Sequence, residues 1–369
     1  METLCIENLL DFMAKAEASD CYISAGAPVA VRINGEVKFL RTKVLDMLET
    51  EALVRQLLTD QQLAEFEQKL ELNVGLYFKL FGRFRVNVLK QKGSVSMVIR
   101  RVKHLIPSFE ELNLPPKLKE LALLKEGLIL VVGPTGSGKS TTLAAMIDYR
   151  NQNLPGHIIT IEDPIEYYHE HKKCIVTQRE VGTDTADFMT ALKNALRQAP
   201  DVILIGEIRD LPSLEATLHA AQTGHLCLAT FHSSNACQTL ERLLSFFDSS
   251  KHKQILMDLS SCLRAIVAQK LIISKNSSRV PVVEIMLDSP RVKDLILKGK
   301  FEEIHETLEK SSNYGMQTFD QHLYGWLSKD VITLEEALKH AESQNNLRLK
   351  IKLEGGLPSS DKTKPLRLN

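Results

Sequence analysis

GLILVVGPTGSGKSTTLAAMIDYR, residues 127–150, decides the fold. The apolar run Leu128 to Val132 reads as a buried strand, and TTLAAMIDYR reads as a helix. Between them GPTGSGKS, residues 133–140, fits the pattern G-x-x-x-x-G-K-[ST] in the context that a phosphate-binding P-loop requires. Gly133, Gly136 and Gly138 let the backbone turn so that its N–H groups converge on phosphate oxygens, helped by the positive end of the following helix. Pro134, Thr135 and Ser137 complete the loop. Lys139 is expected at the β- and γ-phosphates of ATP, Ser140 as a hydroxyl ligand of Mg²⁺, and Thr141 near the α/β-phosphate end.

Outward from the loop, HIITIE, DVILIGE and HLCLATFH alternate with helical stretches, so residues 119–280 read as an α/β core with a parallel sheet. In such sheets ligands bind at the carboxyl ends of the strands. Glu162 ends one of these runs and Glu207 follows another, and His232 follows a third. Glu162 is the favoured water-polarising base, although Asp163 beside it precedes Pro164 and either acid could instead cap that turn. Glu207 is expected to orient Mg²⁺ through water, and the choice of base between Glu162 and Glu207 stays open. His232 is placed to sense a γ-phosphate, whereas His225, before the same strand, reads as structural or interfacial. ATP hydrolysis also calls for a cation on the transferred phosphoryl group. Arg83, Arg85, Arg100 and Arg101 are candidates from the N-terminal region, and Arg209 and Arg242 from the core.

Residues 1–105 read as a small α+β unit that opens on an amphipathic helix. PVAVRINGEVKFL carries an Asn34-Gly35 hairpin signal, and GRFRVNVL alternates strictly, setting Phe84, Val86 and Val88 against Arg83, Arg85 and Asn87. Prolines 107, 115 and 116 mark residues 106–118 as a linker. Residues 281–354 read as helical, with Thr333 and Glu336 at capping-box spacing, and 355–369 as a disordered tail.

Lys+Arg and Asp+Glu balance at 46 each, so no basic field argues for nucleic acid. The six cysteines are dispersed without a C-x-x-C pair, which predicts reduced thiols and no zinc site. No apolar run approaches the roughly 18 residues needed to cross a bilayer, and the N-terminus does not read as a signal peptide. Direct membrane insertion is not expected.

Four segments together resemble the secretion-type hexameric ATPases, specifically the PilT/PilU branch linked to twitching motility and type IV pilus retraction. They are the P-loop, IITIEDPIEYY at 158–168, RQAPDVILIGEIRD at 197–210 and TGHLCLATFHSSNACQTLERLL at 223–244. GHLCLAT, GMQTFDQ at 315–321 and NNLRLKIKL at 345–353 are more similar to the PilU form than to PilT. Where PilT has an A-I-R-N-L-like segment, this chain reads PRVKDLILKGK, with Arg291 but a different remainder.

The resemblance implies a PAS-like N-terminal domain, a RecA-like core, a homo-hexamer with ATP between neighbouring subunits, and Arg83, Arg85 and Arg100 near the nucleotide. It implies a cytoplasmic accessory retraction motor, held at the inner membrane through a platform protein and working beside a PilT paralogue. A pilus-assembly or type II secretion ATPase, and a weakly hydrolysing regulatory ring subunit, are the alternatives.

Overall fold

The computed structural model describes residues 4–33, 35–102 and 105–353. They divide into two compact units, residues 1–105 with 166–168, and residues 106–165 with 169–369. Asn34 of the expected hairpin, residue 354 and the expected tail at 355–369 lie outside the described residues.

The first unit runs α1 (Ile6–Lys15), β1 (Asp20–Ser24), β2 (Ala30–Ile33), β3 (Glu36–Phe39), α2 (Met47–Leu57), α3 (Asp60–Lys69), β4 (Glu71–Phe78), β5 (Gly82–Gln91) and β6 (Ser94–Arg101). Its six strands form an antiparallel sheet in the order β3-β2-β1-β6-β5-β4. The alternation in β5 is realised as expected: Phe84, Val86 and Val88 are fully buried, while Arg83, Arg85 and Asn87 are only half-buried. Leu10 and Met13 of α1 and Val54 of α2 pack into the same core.

The second unit runs α4 (Lys117–Ala122), β7 (Gly127–Val132), α5 (Lys139–Asn153), β8 (Gly156–Glu162), β9 (Cys174–Glu180), α6 (Phe188–Ala195), β10 (Val202–Ile205), α7 (Leu211–Gln222), β11 (Leu226–Phe231), α8 (Ala236–Ser245), α9 (His252–Cys262), β12 (Leu263–Ile273) and β13 (Arg279–Leu287). Five helices follow: α10 (Pro290–Leu297), α11 (Ile304–Lys310), α12 (Phe319–Ser328), α13 (Leu334–His340) and α14 (Gln344–Leu353). Seven strands order β13-β12-β7-β11-β10-β8-β9, every pair parallel except β12 with β13.

Burial on both faces explains the continuous apolar strands. Leu128, Leu130 and Val132 of β7 enter one core, shared with α7, α8, α9 and the C-terminal helices. Ile129 and Val131 enter the other, under α4 and α5. The fold is therefore α/β, with a parallel-sheet core, an antiparallel N-terminal unit and a helical C-terminal part.

Two stretches differ in detail from the sequence reading. Residues 106–118, read as a linker, contribute Phe109, Leu114 and Leu118 to the core under α5, because prolines redirect the chain without preventing apolar side chains from packing. Beyond residue 280 the chain continues the sheet as β13 before turning helical. Pro281 is tolerated there because β13 is the edge strand, and its carbonyl accepts the Trp326 indole N–H at 2.7 Å. Thr333 caps α13 by accepting the Glu336 N–H at 3.2 Å, while the Glu336 carboxylate turns to His340 at 3.0 Å. Among the described residues no helix is long and apolar enough to cross a membrane.

Candidate nucleotide-hydrolysis site

The parallel register sets the carboxyl ends of β7, β8, β10 and β11 along one edge, so the P-loop, Glu162, Glu207 and His232 gather there. The loop turns into α5 through left-handed residues, Gly136 at φ 80° and Gly138 at φ 89°. At Gly133 close approach adds to conformation: a Cβ there would lie 2.3 Å from the Gln269 carbonyl oxygen. Lys139 is buried and its Nζ donates to the carbonyls of Gly133 at 2.9 Å and Pro134 at 3.0 Å, so the ammonium is held over the loop. Ser140 and Thr141 follow in the first turn of α5, where the positive end of the helix dipole favours an anion.

The loop rests on β12. Gln269, 3% exposed, donates from Nε2 to the Ser137 carbonyl at 2.7 Å and accepts at Oε1 from the Thr142 hydroxyl at 2.7 Å. Ser137 Oγ is itself buried without a hydrogen-bond partner. An unsatisfied hydroxyl in a loop of converging N–H groups fits a phosphate oxygen as its acceptor.

The acids sit on the adjoining strand ends. Glu162 accepts from Thr160 Oγ1 at 2.6 Å and from Gln178 Nε2 at 3.3 Å through one oxygen, Oε1. Gln178 also accepts the backbone N–H of His169 at 2.8 Å. Burial pushes the His169 imidazole down to about 4, so it is neutral around pH 7. Glu207 uses both oxygens: Oε2 accepts from Arg209 Nε at 2.7 Å, and Oε1 lies 2.9 Å from His232 Nε2. Arg209 reaches on to Asp163 at 3.4 Å, so one guanidinium links the two acidic strand ends, and its pairing with Glu207 holds its charge more firmly. Gly206 allows this closeness, since a Cβ there would come 3.2 Å from the Glu162 Cα.

Arg242 donates to the His232 carbonyl and lies over the Phe231 ring. Together with Lys270, His232, Ser233, Ser234, Gly133 and Pro134 it lines a cleft of about 300 Å³ at the mouth of the loop. The site thus offers a phosphate cradle, a lysine and two carboxylates within one edge. Magnesium bound to a triphosphate needs few protein ligands because it keeps several waters, and Ser140 and Glu207 provide a hydroxyl and a carboxylate of the required hardness. Among the described residues no group of three or more His, Cys, Asp or Glu could hold a metal ion.

The remaining arginines belong to the first unit. Arg83 and Arg85 lie on β5, and Arg85 stands opposite Arg100 of β6, whose Nε donates to Asp20 at 2.7 Å. Arg101, suggested by sequence for the same cleft, is instead turned to the Ala14 carbonyl at 3.3 Å, as neighbours on a strand must face opposite sides. His225 Nδ1 lies 3.1 Å from the Ala220 carbonyl oxygen. Arg291, on α10, pairs with Glu303 at 2.6 Å.

Sequence reasoning missed Thr160, Gln178, Gln269 and Lys270. Thr160 was findable, because i and i+2 share a strand face and the acid follows at 162. Gln269 left one signal, a lone amide inside the apolar run AIVAQKLII.

Residues 2–319 match the family described as type II/IV secretion system protein. The type IV pilus ATPase PilU of Pseudomonas aeruginosa is 49% identical over 348 residues, covering 94% of this chain and 91% of that protein. The PilT retraction ATPase of the same organism is 40% identical, over 92% of this chain and 99% of its own. The crystal structure of the pilus retraction motor PilT with bound ADP superposes with a TM-score of 0.87 at 40% identity, covering 93% and 98%. Family, fold and loop geometry agree with the resemblance read from the motifs: the chain belongs to the type II/IV secretion system protein family and is a nucleotide-binding ATPase of its PilT/PilU branch.

Proposed function

We propose that this protein hydrolyses MgATP at the strand edge around Lys139 and uses the energy to retract type IV pili, as a PilU-like accessory motor. The observation that carries the reading is the convergence of P-loop, Glu162 and the Glu207–His232 pair on one edge, in a chain 49% identical to PilU along 94% of its length.

The backbone N–H groups of 133–138 and the start of α5 bind the phosphates, and Lys139 leaves its loop carbonyls to neutralise the β- and γ-oxygens. Ser137 donates its hydroxyl to a phosphate oxygen. Glu162, held by Thr160 and Gln178, orients the attacking water and takes its proton as the water oxygen bonds the γ-phosphorus in line, while the bond from the γ-phosphorus to the bridging oxygen breaks and ADP leaves with that oxygen. Glu207 would help to hold Mg²⁺, and its contact with His232 links it to the end of β11. Ser140 would hold Mg²⁺ by its hydroxyl, and the ion would supply further neutralisation of the transferring group.

Arg83, Arg85 and Arg100 of a neighbouring subunit complete the charge around the transferred phosphoryl group in a homo-hexameric ring. Closure of that site on ATP and reopening after hydrolysis would drive a pilus platform protein at the cytoplasmic face of the inner membrane. The protein is cytoplasmic in this reading and acts with a PilT paralogue.

Deleting the gene in its host, alone and together with a retraction paralogue, tests this. Excess surface pili and reduced twitching are expected, rescued by the wild-type gene and not by Lys139→Ala. Loss of pili, or unchanged pili and twitching in both backgrounds, would overturn the retraction assignment.

A further inference from the structure

Gln269 is an uncharged amide, 3% exposed, in the mostly apolar strand β12, and the two ends of its side chain are committed to the nucleotide loop and to the helix that follows it. Its Nε2 holds the Ser137 carbonyl at 2.7 Å. A trans peptide carries its C=O and the following N–H on opposite sides of the chain. Drawing the Ser137 oxygen toward β12 therefore turns the Gly138 N–H away from β12.

Two glycines report how tightly the loop is seated on this residue. A Cβ at Gly138 would stand 2.8 Å from Gln269 Nε2, and a Cβ at Gly133 would stand 2.3 Å from the Gln269 carbonyl oxygen. The Thr142 hydroxyl, on the first turn of α5, donates to Oε1 and so fixes which end of the amide faces Ser137. One side chain ties strand, loop and helix together.

We propose that Gln269 is a positioning residue for the nucleotide: its amide sets the Ser137–Gly138 peptide so that the Gly138 N–H is presented to the diphosphate portion of the bound nucleotide. The inference rests on the reading of residues 133–140 as the ATP site and adds a specific consequence. P-loop N–H groups cradle the α/β-phosphates, which ADP and ATP share. Losing Gln269 must weaken both nucleotides by the same factor, whereas a residue acting on the γ-phosphate separates them. Binding lost equally from ground and transition states raises KM and leaves kcat.

The test uses the full-length protein with a fluorescent ADP and a non-hydrolysable fluorescent ATP analogue, plus steady-state hydrolysis and thermal melts. Gln269→Leu is expected to raise Kd for both ligands and KM for ATP by about tenfold, with kcat held within about threefold. Gln269→Glu, which sets a carboxylate oxygen against the Ser137 carbonyl, is expected to weaken both ligands further. Thr142→Val keeps the shape and removes only the group that orients the amide, so both Kd values should rise by about threefold.

Wild-type affinity in Gln269→Leu, loss of ATP without ADP, or a fall in kcat at unchanged Kd would overturn the assignment. If Gln269→Leu does not fold, Thr142→Val decides: unchanged affinity for both ligands overturns it. Lys139→Ala separates the two levels of the argument. Weak ligand binding in Lys139→Ala beside normal binding in Gln269→Leu removes only the role of Gln269, and normal binding in Lys139→Ala removes the ATP site itself.

Discussion

The hairpin β12–β13 carries a polar network on each face, and the two are built from opposite materials. On the α5 face Gln269 meets Ser137 and Thr142, all neutral, each bond 2.7 Å long. On the other face Glu284 accepts the Ala236 N–H at 2.7 Å at the start of α8, within the fields of Lys270, His305 and Glu342. His305 Nε2 lies 3.2 Å from Glu342, joining α11 to the chain just before α14. A neutral, satisfied network fixes geometry without regard to pH, whereas a buried charged one makes the packing of its elements depend on protonation. The nucleotide loop leans on the first kind and the C-terminal helices on the second.

Glu284 gives the difference a sign. Burial pushes its carboxyl up from 4.5 to about 7, while the Ala236 N–H pulls the other way and Glu342 adds to the rise. The folded protein therefore keeps a proton that the unfolded chain releases. The stabilisation is fully present below pH 4.5 and is lost as pH rises through about 7. His305, raised chiefly by its hydrogen bond to Glu342, acts in the same direction. At Glu342 burial raises the pKa, but the hydrogen bonds from His305 and Asn235 and the charges of His305 and Lys270 together outweigh it, so its stabilisation is lost only toward acid.

Glu284→Gln keeps the acceptor for Ala236 and removes the titration. At pH 8 it should be more stable than wild type by on the order of 2 kcal/mol, with the gap closing toward pH 5 in melts across that range. A gap independent of pH would contradict the assignment of Glu284. Nucleotide Kd should stay flat from pH 6.5 to about pH 8, since the Gln269 network has nothing to titrate, and a Kd that follows the melting curve would erase the contrast between the faces. A smaller effect is expected from Asp320→Ala. Its carboxylate accepts the N–H groups of Glu342 at 2.8 Å and Ser343 at 3.0 Å, so removing it should destabilise by about 1 kcal/mol and leave nucleotide affinity unchanged. A change in affinity there would mean that the C-terminal helices reach the loop.

The site was more legible in the sequence than its supports. Lys139 comes with the P-loop motif, and Glu162, Glu207 and His232 each follow an apolar run, so the rule that ligands bind at the carboxyl ends of parallel strands groups them with it. The seven-stranded sheet was only partly visible. β9 reads CIVTQRE, mixed in polarity because it is an edge strand, and β13 carries Pro281, which argues against a strand unless the edge is known. Gln269 belongs to no motif, and its partners lie 127 and 132 residues away in sequence, so only the folded register brings them together. Arg101 was the reverse case: strand alternation already required it to face away from Arg100.

The most direct measurement is a comparison of ATP binding and ATP turnover in Glu162→Gln. The substitution keeps an oxygen for Thr160 and removes the group that orients and deprotonates water. The account predicts near wild-type affinity for MgATP with turnover lowered by about a hundredfold or more. Turnover within a few-fold of wild type at unchanged affinity would contradict the assignment of Glu162 as the base at this edge.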